Sequence, residues 1–125
     1  MEQLSRLNHK DLILWQKALD LAVLVHQSCT ALPPSETYGL ASQMRRAATS
    51  IPSNIAEGYA RRSPKEYLYF LRVARGSLAE LETQLLLAQR VSYLLENEVT
   101  GLLDRIEEIG RILHAVVAGL LRRQQ

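Results

Sequence analysis

The stretch from Gln43 to Ala88, QMRRAATSIPSNIAEGYARRSPKEYLYFLRVARGSLAELETQLLLA, decides the fold of this chain. Apolar residues recur along it at alternating spacings of three and four, which places them on one side of an α-helix. The run from Ser63 to Glu66 interrupts the pattern. It puts serine at an N-cap, proline at the first helical position and glutamate at the third, which is a helix-start signal. The stretch therefore predicts two long helices joined by a short turn.

The same spacing continues on both sides and predicts four helices, at about residues 11–31, 36–61, 64–91 and 96–121. No stretch alternates apolar and polar residues long enough to predict a strand. Short connections place consecutive helices antiparallel. The prediction is one all-α domain over residues 1–125, an up-down-up-down antiparallel four-helix bundle. In the last three helices the predicted core positions are Leu40, Met44, Ala47, Ile51, Asn54, Gly58, Tyr67, Leu71, Ala74, Leu78, Leu81, Leu85, Ala88, Val99, Leu102, Ile106, Ile109, Leu113, Val116 and Leu120.

Prolines mark the boundary between the first two helices and an irregularity inside the second. Pro33 and Pro34 end the first helix, because proline cannot continue the hydrogen-bond ladder. Ser35 and Glu36 then predict the start of the second. Pro52 falls inside the second helix, where it removes one hydrogen bond. We expect a kink near Pro52, or a break near Ser50.

Composition narrows the class of protein. A length of 125 residues, a hydrophobic fraction of 47% and a charged fraction of 22% are typical of one globular domain. The single cysteine, Cys29, excludes an internal disulfide and fits a reducing compartment. The N-terminal charges Glu2, Arg6, Lys10 and Asp11 argue against a signal peptide. We expect a cytoplasmic protein with no membrane segment.

The first and fourth helices carry more apolar residues than one buried stripe requires. The predicted core stripe of the first helix is Leu12, Trp15, Leu19, Ala22, His26 and Cys29. The additional apolar residues are expected on outward faces, where they predict a homo-oligomer interface because contiguous exposed apolar surface is typical of association. This predicted interface consists of Leu14, Ala18, Leu21, Val25, Leu103, Val117 and Leu121.

Three stretches carry a family resemblance: DLILWQKALDLAVLVHQ near the start, YGLASQMRRAATSIPSNIAEG through GSLAELETQLLLA in the middle, and IEEIGRILHAV from Ile106. They resemble the bacterial four-helix-bundle proteins encoded in 23S rRNA intervening sequences. The accessory variability determinant of diversity-generating retroelements is similar at greater distance. The resemblance implies homopentamers without an established enzymatic activity. The retroelement relatives imply a basic surface that binds nucleic acid.

Positive charge is concentrated in the middle of the chain. Between Met44 and Arg75 there are seven basic and two acidic residues, although the net charge of the whole chain is only +2. Such a cluster predicts contacts with the phosphates of RNA or DNA. The alternative is a solvated face with ion pairs inside the bundle, in which case the protein is a protein-interaction scaffold that binds no nucleic acid. The predicted nucleic-acid-binding residues are Arg45, Arg46, Arg61, Arg62, Lys65, Arg72 and Arg75.

Asn54 falls on a core stripe, and an unpartnered polar group there costs about 1–3 kcal/mol. Ser77 and Glu80 of the third helix, beside the small Gly76, are the expected partners. With Glu57 they form a predicted structural polar network. A ligand or metal pocket at these residues is the less favoured alternative.

Catalytic motifs are missing from the sequence. The glycine-rich phosphate loops and the nucleophile elbow are absent, and no histidine follows a glutamate at the Glu-x-x-His spacing of di-iron bundles. His26 and Cys29 have a spacing that could hold one edge of a metal site but lack a third ligand. Trp15 is expected in the core or an interface. We therefore expect no enzyme, no metal and no cofactor.

Overall fold

The computed structural model describes residues 8–123, which form four long α-helices and, in this part of the chain, no strand. The helices are α1 (His9–Ser28), α2 (Leu40–Ala60), α3 (Pro64–Arg90) and α4 (Glu96–Arg123). Residues 1–7, on which part of the signal-peptide prediction rests, lie outside the described residues. None of the four described helices combines the length with the apolar character that a membrane span requires.

Each helix packs against its neighbours in sequence, and α1 also packs against α4, which closes the four-helix bundle. The contact between α2 and α3 is the most extensive. Gly58 makes this possible, because a Cβ there would lie 2.6 Å from the Phe70 Cβ. Gly76 has open space around the same position, so the close approach of the two helices lies at Gly58 and not at Gly76.

The predicted core of the last three helices is confirmed. All its positions are buried except Asn54, which is half-buried. The one-sided apolar spacing of these helices determined which side faces inward. The largest side chains that are fully buried include Met44, Ile51, Leu71, Leu81, Leu85, Ile109 and Leu113.

The predicted orientation of α1 is wrong. Leu14, Ala18, Leu21 and Val25, which we predicted on an outward face, are all 0% exposed. In contrast, Leu19 of the predicted core stripe is 41% exposed and His26 is exposed too, while Ala22 and Cys29 of that stripe are buried. The helix is apolar on two sides, so spacing alone could not decide which side the other helices cover.

The start of α2 also differs from the prediction. Pro34–Glu36 forms a short 3-10 helix, and α2 begins at Leu40 instead of residue 36. The Glu36 carboxylate still acts on this helix end, because its Oε1 accepts the Leu40 amide at 3.0 Å. The helix then runs without a break through the buried Pro52, so the alternative of a break near Ser50 is wrong. A kink at Pro52 stays a prediction.

The predicted start of α3 is confirmed. Pro64 is its first residue, and the Ser63 hydroxyl accepts a hydrogen bond from the Glu66 amide at 3.3 Å. Arg62, immediately before this cap, has a φ of 58°. A positive φ after the end of α2 reverses the chain sharply and sends it into α3.

Candidate functional site

The structure does not bring the seven predicted basic residues together. Arg45 and Arg46 lie near the start of α2, whereas Arg61 and Arg62 follow its end. Sixteen residues of helix separate the two pairs by about 24 Å. Arg72 and Arg75 lie in between, on the exposed side of α3.

Arg75 and Arg45 also have different surroundings. Arg75 lines a groove of about 830 Å³ between α3 and α4 together with the carboxylates of Glu82 and Asp104 and the ion pair Arg111–Glu107. Arg45 donates from Nη2 to the Thr37 carbonyl at 3.2 Å, within the loop before α2. The predicted continuous basic surface on the second and third helices is therefore divided into separate regions.

One region gathers charge from three segments of the chain. The up-down-up-down order puts the start of α1, the α2–α3 turn and the end of α4 at the same end of the bundle. Arg62 and Arg123 line one cavity there, and Lys10, Arg122 and Arg123 line the adjoining one. We call this region the basic end, and it consists of Lys10, Arg61, Arg62, Lys65, Arg122 and Arg123.

Sequence analysis missed half of the basic end. Lys10, Arg122 and Arg123 lie outside the central cluster of basic residues. Lys10 is separated from the two arginines by more than a hundred residues of sequence. The available signal was the topology, because antiparallel order with four helices places the two termini at the same end. Counting charge along the chain could not reveal this meeting.

Most cations of the basic end face solvent without a carboxylate partner. Arg61 is the exception, since its Nη2 lies 3.0 Å from the Glu57 carboxylate and its guanidinium stacks 5.2 Å from the Phe70 ring centroid. Among the described residues, the other two ion pairs are Lys17–Glu108 and Arg111–Glu107. The remaining five cations of the basic end make none within residues 8–123.

A buried hydrogen bond ties the basic end together. Asp11 is only 3% exposed, and its carboxylate accepts the Tyr67 hydroxyl at 2.5 Å. This bond joins the first turn of α1 to the first turn of α3. Burial, and then the Asp11 carboxylate, raise the pKa of Tyr67, and nearby Arg123 opposes the shift. Tyr67 therefore stays protonated at neutral pH, and its hydroxyl remains a hydrogen-bond donor to Asp11.

The predicted polar network is smaller than expected. The Asn54 amide donates to the Ser50 hydroxyl at 2.9 Å, and that hydroxyl is 2.8 Å from the hydroxyl of Ser77. Ser50, which the prediction omitted, thus joins Asn54 of α2 to Ser77 of α3. Glu57 pairs with Arg61, and Glu80 accepts from the Gln84 amide at 3.2 Å. Neither glutamate belongs to the network.

The predicted oligomer interface is mostly core. Its four α1 residues and Val117 are buried inside the monomer, Leu103 is half-buried and Leu121 is 39% exposed. The apolar surface of α1 lies on the other side. There Trp15, Leu19, Val23 and Ala56 line a groove of about 580 Å³ between α1 and α2.

The side chains of His26 and Cys29, suggested as two ligands of a metal site, each contact a backbone carbonyl in the described part of the chain. The His26 ring lies 2.8 Å, through Nδ1, from the Ala22 carbonyl, and the buried Cys29 thiol donates to the Ala41 carbonyl at 3.6 Å. Burial raises the pKa of Cys29, although Arg45 counteracts this. Over residues 8–123, no group of three or more histidine, cysteine or acidic side chains is placed to hold a metal ion.

Comparisons with known proteins agree with this architecture. A crystal structure from the S23 ribosomal protein family of Bacteroides thetaiotaomicron, a protein described as of unknown function, has a TM-score of 0.79 to this chain. The two share 24% identity over 87% of this chain and 98% of that one, which shows a common fold. No functionally curated protein matches the chain. The family model of the 23S rRNA-intervening sequence protein matches residues 10–115. This chain therefore belongs to the 23S rRNA-intervening sequence protein family.

Proposed function

We propose that this protein is a non-enzymatic, cytoplasmic helical bundle that binds RNA or DNA weakly through its basic end. The observation that carries the proposal is the convergence of six cations from three chain segments, five of them without an ion pair within residues 8–123. A protein surface that keeps this many cations unpaired at one end attracts a polyanion.

The expected binding is electrostatic and independent of base sequence. The exposed groups of the basic end are lysine and arginine side chains, which contact phosphates and position a strand without reading its bases. If all six cations contact phosphates of a single strand, log K falls with log salt at a slope of about −4. Affinity in the range of about 10⁻⁴ to 10⁻⁶ M at physiological salt is expected for such contacts.

A salt titration tests this proposal. Labelled single-stranded RNA and DNA are titrated with protein by fluorescence anisotropy at about 50, 100 and 200 mM salt. We expect measurable binding at the lowest salt, a steep linear loss with salt, and weaker binding by the double variant Arg61→Glu/Arg62→Glu. No binding at about 50 mM salt would eliminate the proposal.

We also propose that the chain self-associates, as the pentamer that the resemblance implies, with the α1–α2 groove as the contact surface. The support is the groove's apolar lining together with exposed Leu19 and Val23, at 41% and 50%. An oligomer repeats the basic end in each copy, and repetition multiplies a weak affinity.

Sedimentation tests the self-association. Leu19→Glu/Val23→Glu is expected to release monomers of 14.1 kDa, because two charges cannot be buried in an apolar contact. Val73→Glu/Leu87→Glu, at exposed apolar positions of α3, is the matched control and should leave the assembly intact. A wild-type protein that sediments as a monomer at micromolar concentration contradicts the proposal.

The second candidate function is a protein-interaction scaffold, and the same groove favours it. Contiguous exposed apolar surface on a soluble domain is typical of a protein contact. In that case partner binding depends on Leu19 and Val23, and charge reversal at the basic end has no effect on it. The RNA titration and the groove variant together distinguish the two functions.

A further inference from the structure

A cavity of about 230 Å³ lies at the centre of the basic end. Its buried lining comprises Asp11, Tyr67 and Leu120, and the exposed Arg62 and Arg123 stand at its rim. We call it the rim cavity. Three separate chain segments build it, so it exists only in the folded bundle.

The two rim arginines are available for an anion. Arg123 uses its Nε to donate to the Gly119 carbonyl at 3.3 Å, which leaves its terminal nitrogens free of that bond. Arg62 has a positive φ, so the sharp turn between α2 and α3 sets the direction in which its side chain leaves the backbone. Guanidinium groups match the geometry of phosphate oxygens with paired donors.

Asp11 on the cavity floor carries a charge that opposes an anion, but it forms no ion pair with these arginines. Neither Arg62 nor Arg123 is among the ion pairs of the described residues, which involve Lys17, Arg61 and Arg111. The Asp11 carboxylate accepts the Tyr67 hydroxyl instead and keeps its own charge. The adjoining cavity of about 280 Å³ adds Lys10 and Arg122. Four cations therefore surround one carboxylate, and the local field favours an anion.

The size of the rim cavity selects a small group. Pockets that enclose whole small molecules are about 300–1,000 Å³, so a volume of about 230 Å³ suits a phosphate with its water rather than a complete nucleotide. We propose that the rim cavity binds a single phosphate group of a nucleic-acid strand, held between the guanidinium groups of Arg62 and Arg123. This inference rests on the function proposed above and adds a defined site to it.

A double-mutant cycle separates a defined site from diffuse attraction. Arg62→Gln and Arg123→Gln are each expected to weaken RNA binding about tenfold at low salt. The double variant should lose far less than the hundredfold product, because either change already destroys the shared site. Lys65→Gln and Arg122→Gln form the control pair. These two residues share no cavity, so their losses should multiply.

Replacing Asp11 gives a test with the opposite sign. Asp11→Asn removes the negative charge on the floor and keeps an oxygen that accepts the Tyr67 hydroxyl. We expect inorganic phosphate to bind about three- to tenfold more tightly to this variant, measured by NMR shifts of the Ser63 and Arg123 amides. Thermal unfolding by circular dichroism confirms that the variant folds. Unchanged or weaker phosphate binding contradicts the site.

The source of the phosphate is resolved with paired RNAs of one sequence. Tighter binding of a 5′-phosphorylated strand than of its 5′-hydroxyl form, with the preference lost in Arg62→Gln, assigns a terminal phosphate. If the two strands bind equally and the Arg62 and Arg123 losses are still less than multiplicative, the bound phosphate is an internal one. Salt-dependent RNA binding with multiplicative Arg62 and Arg123 losses would overturn the rim cavity and leave the proposed function standing. Absence of any RNA binding removes the proposed function itself.

Discussion

The two ends of the bundle each contain a hydrogen bond from a tyrosine to a carboxylate, but they differ in charge. At the basic end Tyr67 donates to Asp11, and at the opposite end Tyr93 donates to the Glu36 carboxylate at 3.0 Å. Each end also contains a non-glycine residue with positive φ after a helix: Arg62 after α2, and Ser92, with a φ of 65°, after α3.

The charges around these two closures are not alike. The opposite end carries three arginines and three glutamates, so its charge balances: Arg45, Arg46, Arg90, Glu36, Glu96 and Glu98. The basic end has six cations against three carboxylates, those of Asp11, Glu57 and Glu66, and five of the six cations make no ion pair within residues 8–123. Closing a bundle therefore does not require a concentration of positive charge, and the excess at one end points to a role beyond stability.

The largest expected effect comes from reversing charge at each end. Arg122→Glu/Arg123→Glu should weaken RNA binding about a hundredfold at low salt and flatten the salt slope by about 1.4, because two phosphate contacts are lost. Arg46→Glu/Arg90→Glu changes the net charge equally at the opposite end and should cost less than about fivefold. Equal losses in the two variants, measured by anisotropy, mean that net charge and not the basic end controls binding.

The two tyrosine-to-carboxylate hydrogen bonds should contribute different amounts to the free energy of unfolding. Tyr67→Phe leaves the buried Asp11 carboxylate without its donor, so we expect a loss of about 1–3 kcal/mol in the free energy of unfolding. Tyr93→Phe should cost less, because Glu36 is only half-buried and still accepts the Leu40 amide. Urea unfolding of both variants measures the difference. A larger loss from Tyr93→Phe contradicts the comparison.

The buried closure also predicts a pH dependence. Tyr67 has a raised pKa in the folded protein, whereas in the unfolded chain it titrates near its ordinary value of about 10. The unfolded state therefore loses the proton first, and the contribution of Tyr67 to stability is complete below about pH 10 and falls above it. Unfolding of wild type and Tyr67→Phe from pH 8 to 11 measures this. A stability difference that stays constant across that range is the contrary result.

The smallest expected effect concerns the two positive-φ residues. Arg62→Gly and Ser92→Gly should each raise the free energy of unfolding by about 0.5–1 kcal/mol, because glycine adopts this conformation without strain. Only Arg62→Gly should also weaken RNA binding. Thermal unfolding and anisotropy on the same preparations test both parts. Equal RNA affinity of the two variants argues against a role for the Arg62 side chain.

Helix starts and core stripes were predictable where the signal is local. Ser63 caps α3 as its sequence predicts, because the capping bond spans only three residues. The start of α2 was predicted too early, since Glu36 reaches the Leu40 amide from a separate 3-10 turn. Of the basic end, Arg61 and Arg62 of the α2–α3 turn and Lys65 in the first turn of α3 were in the predicted set.

What the sequence determined by itself was the number of helices, their approximate limits and the buried side of three of them, because each depends on spacing within one helix. The tertiary structure alone decided which apolar side of α1 is covered, since Leu14 and Leu19 are equally apolar and only packing distinguishes them. It also decided that Arg123 shares one cavity with Arg62 and the adjoining cavity with Lys10. Contacts between distant segments depend on how helices are arranged in space, and no local spacing encodes that arrangement.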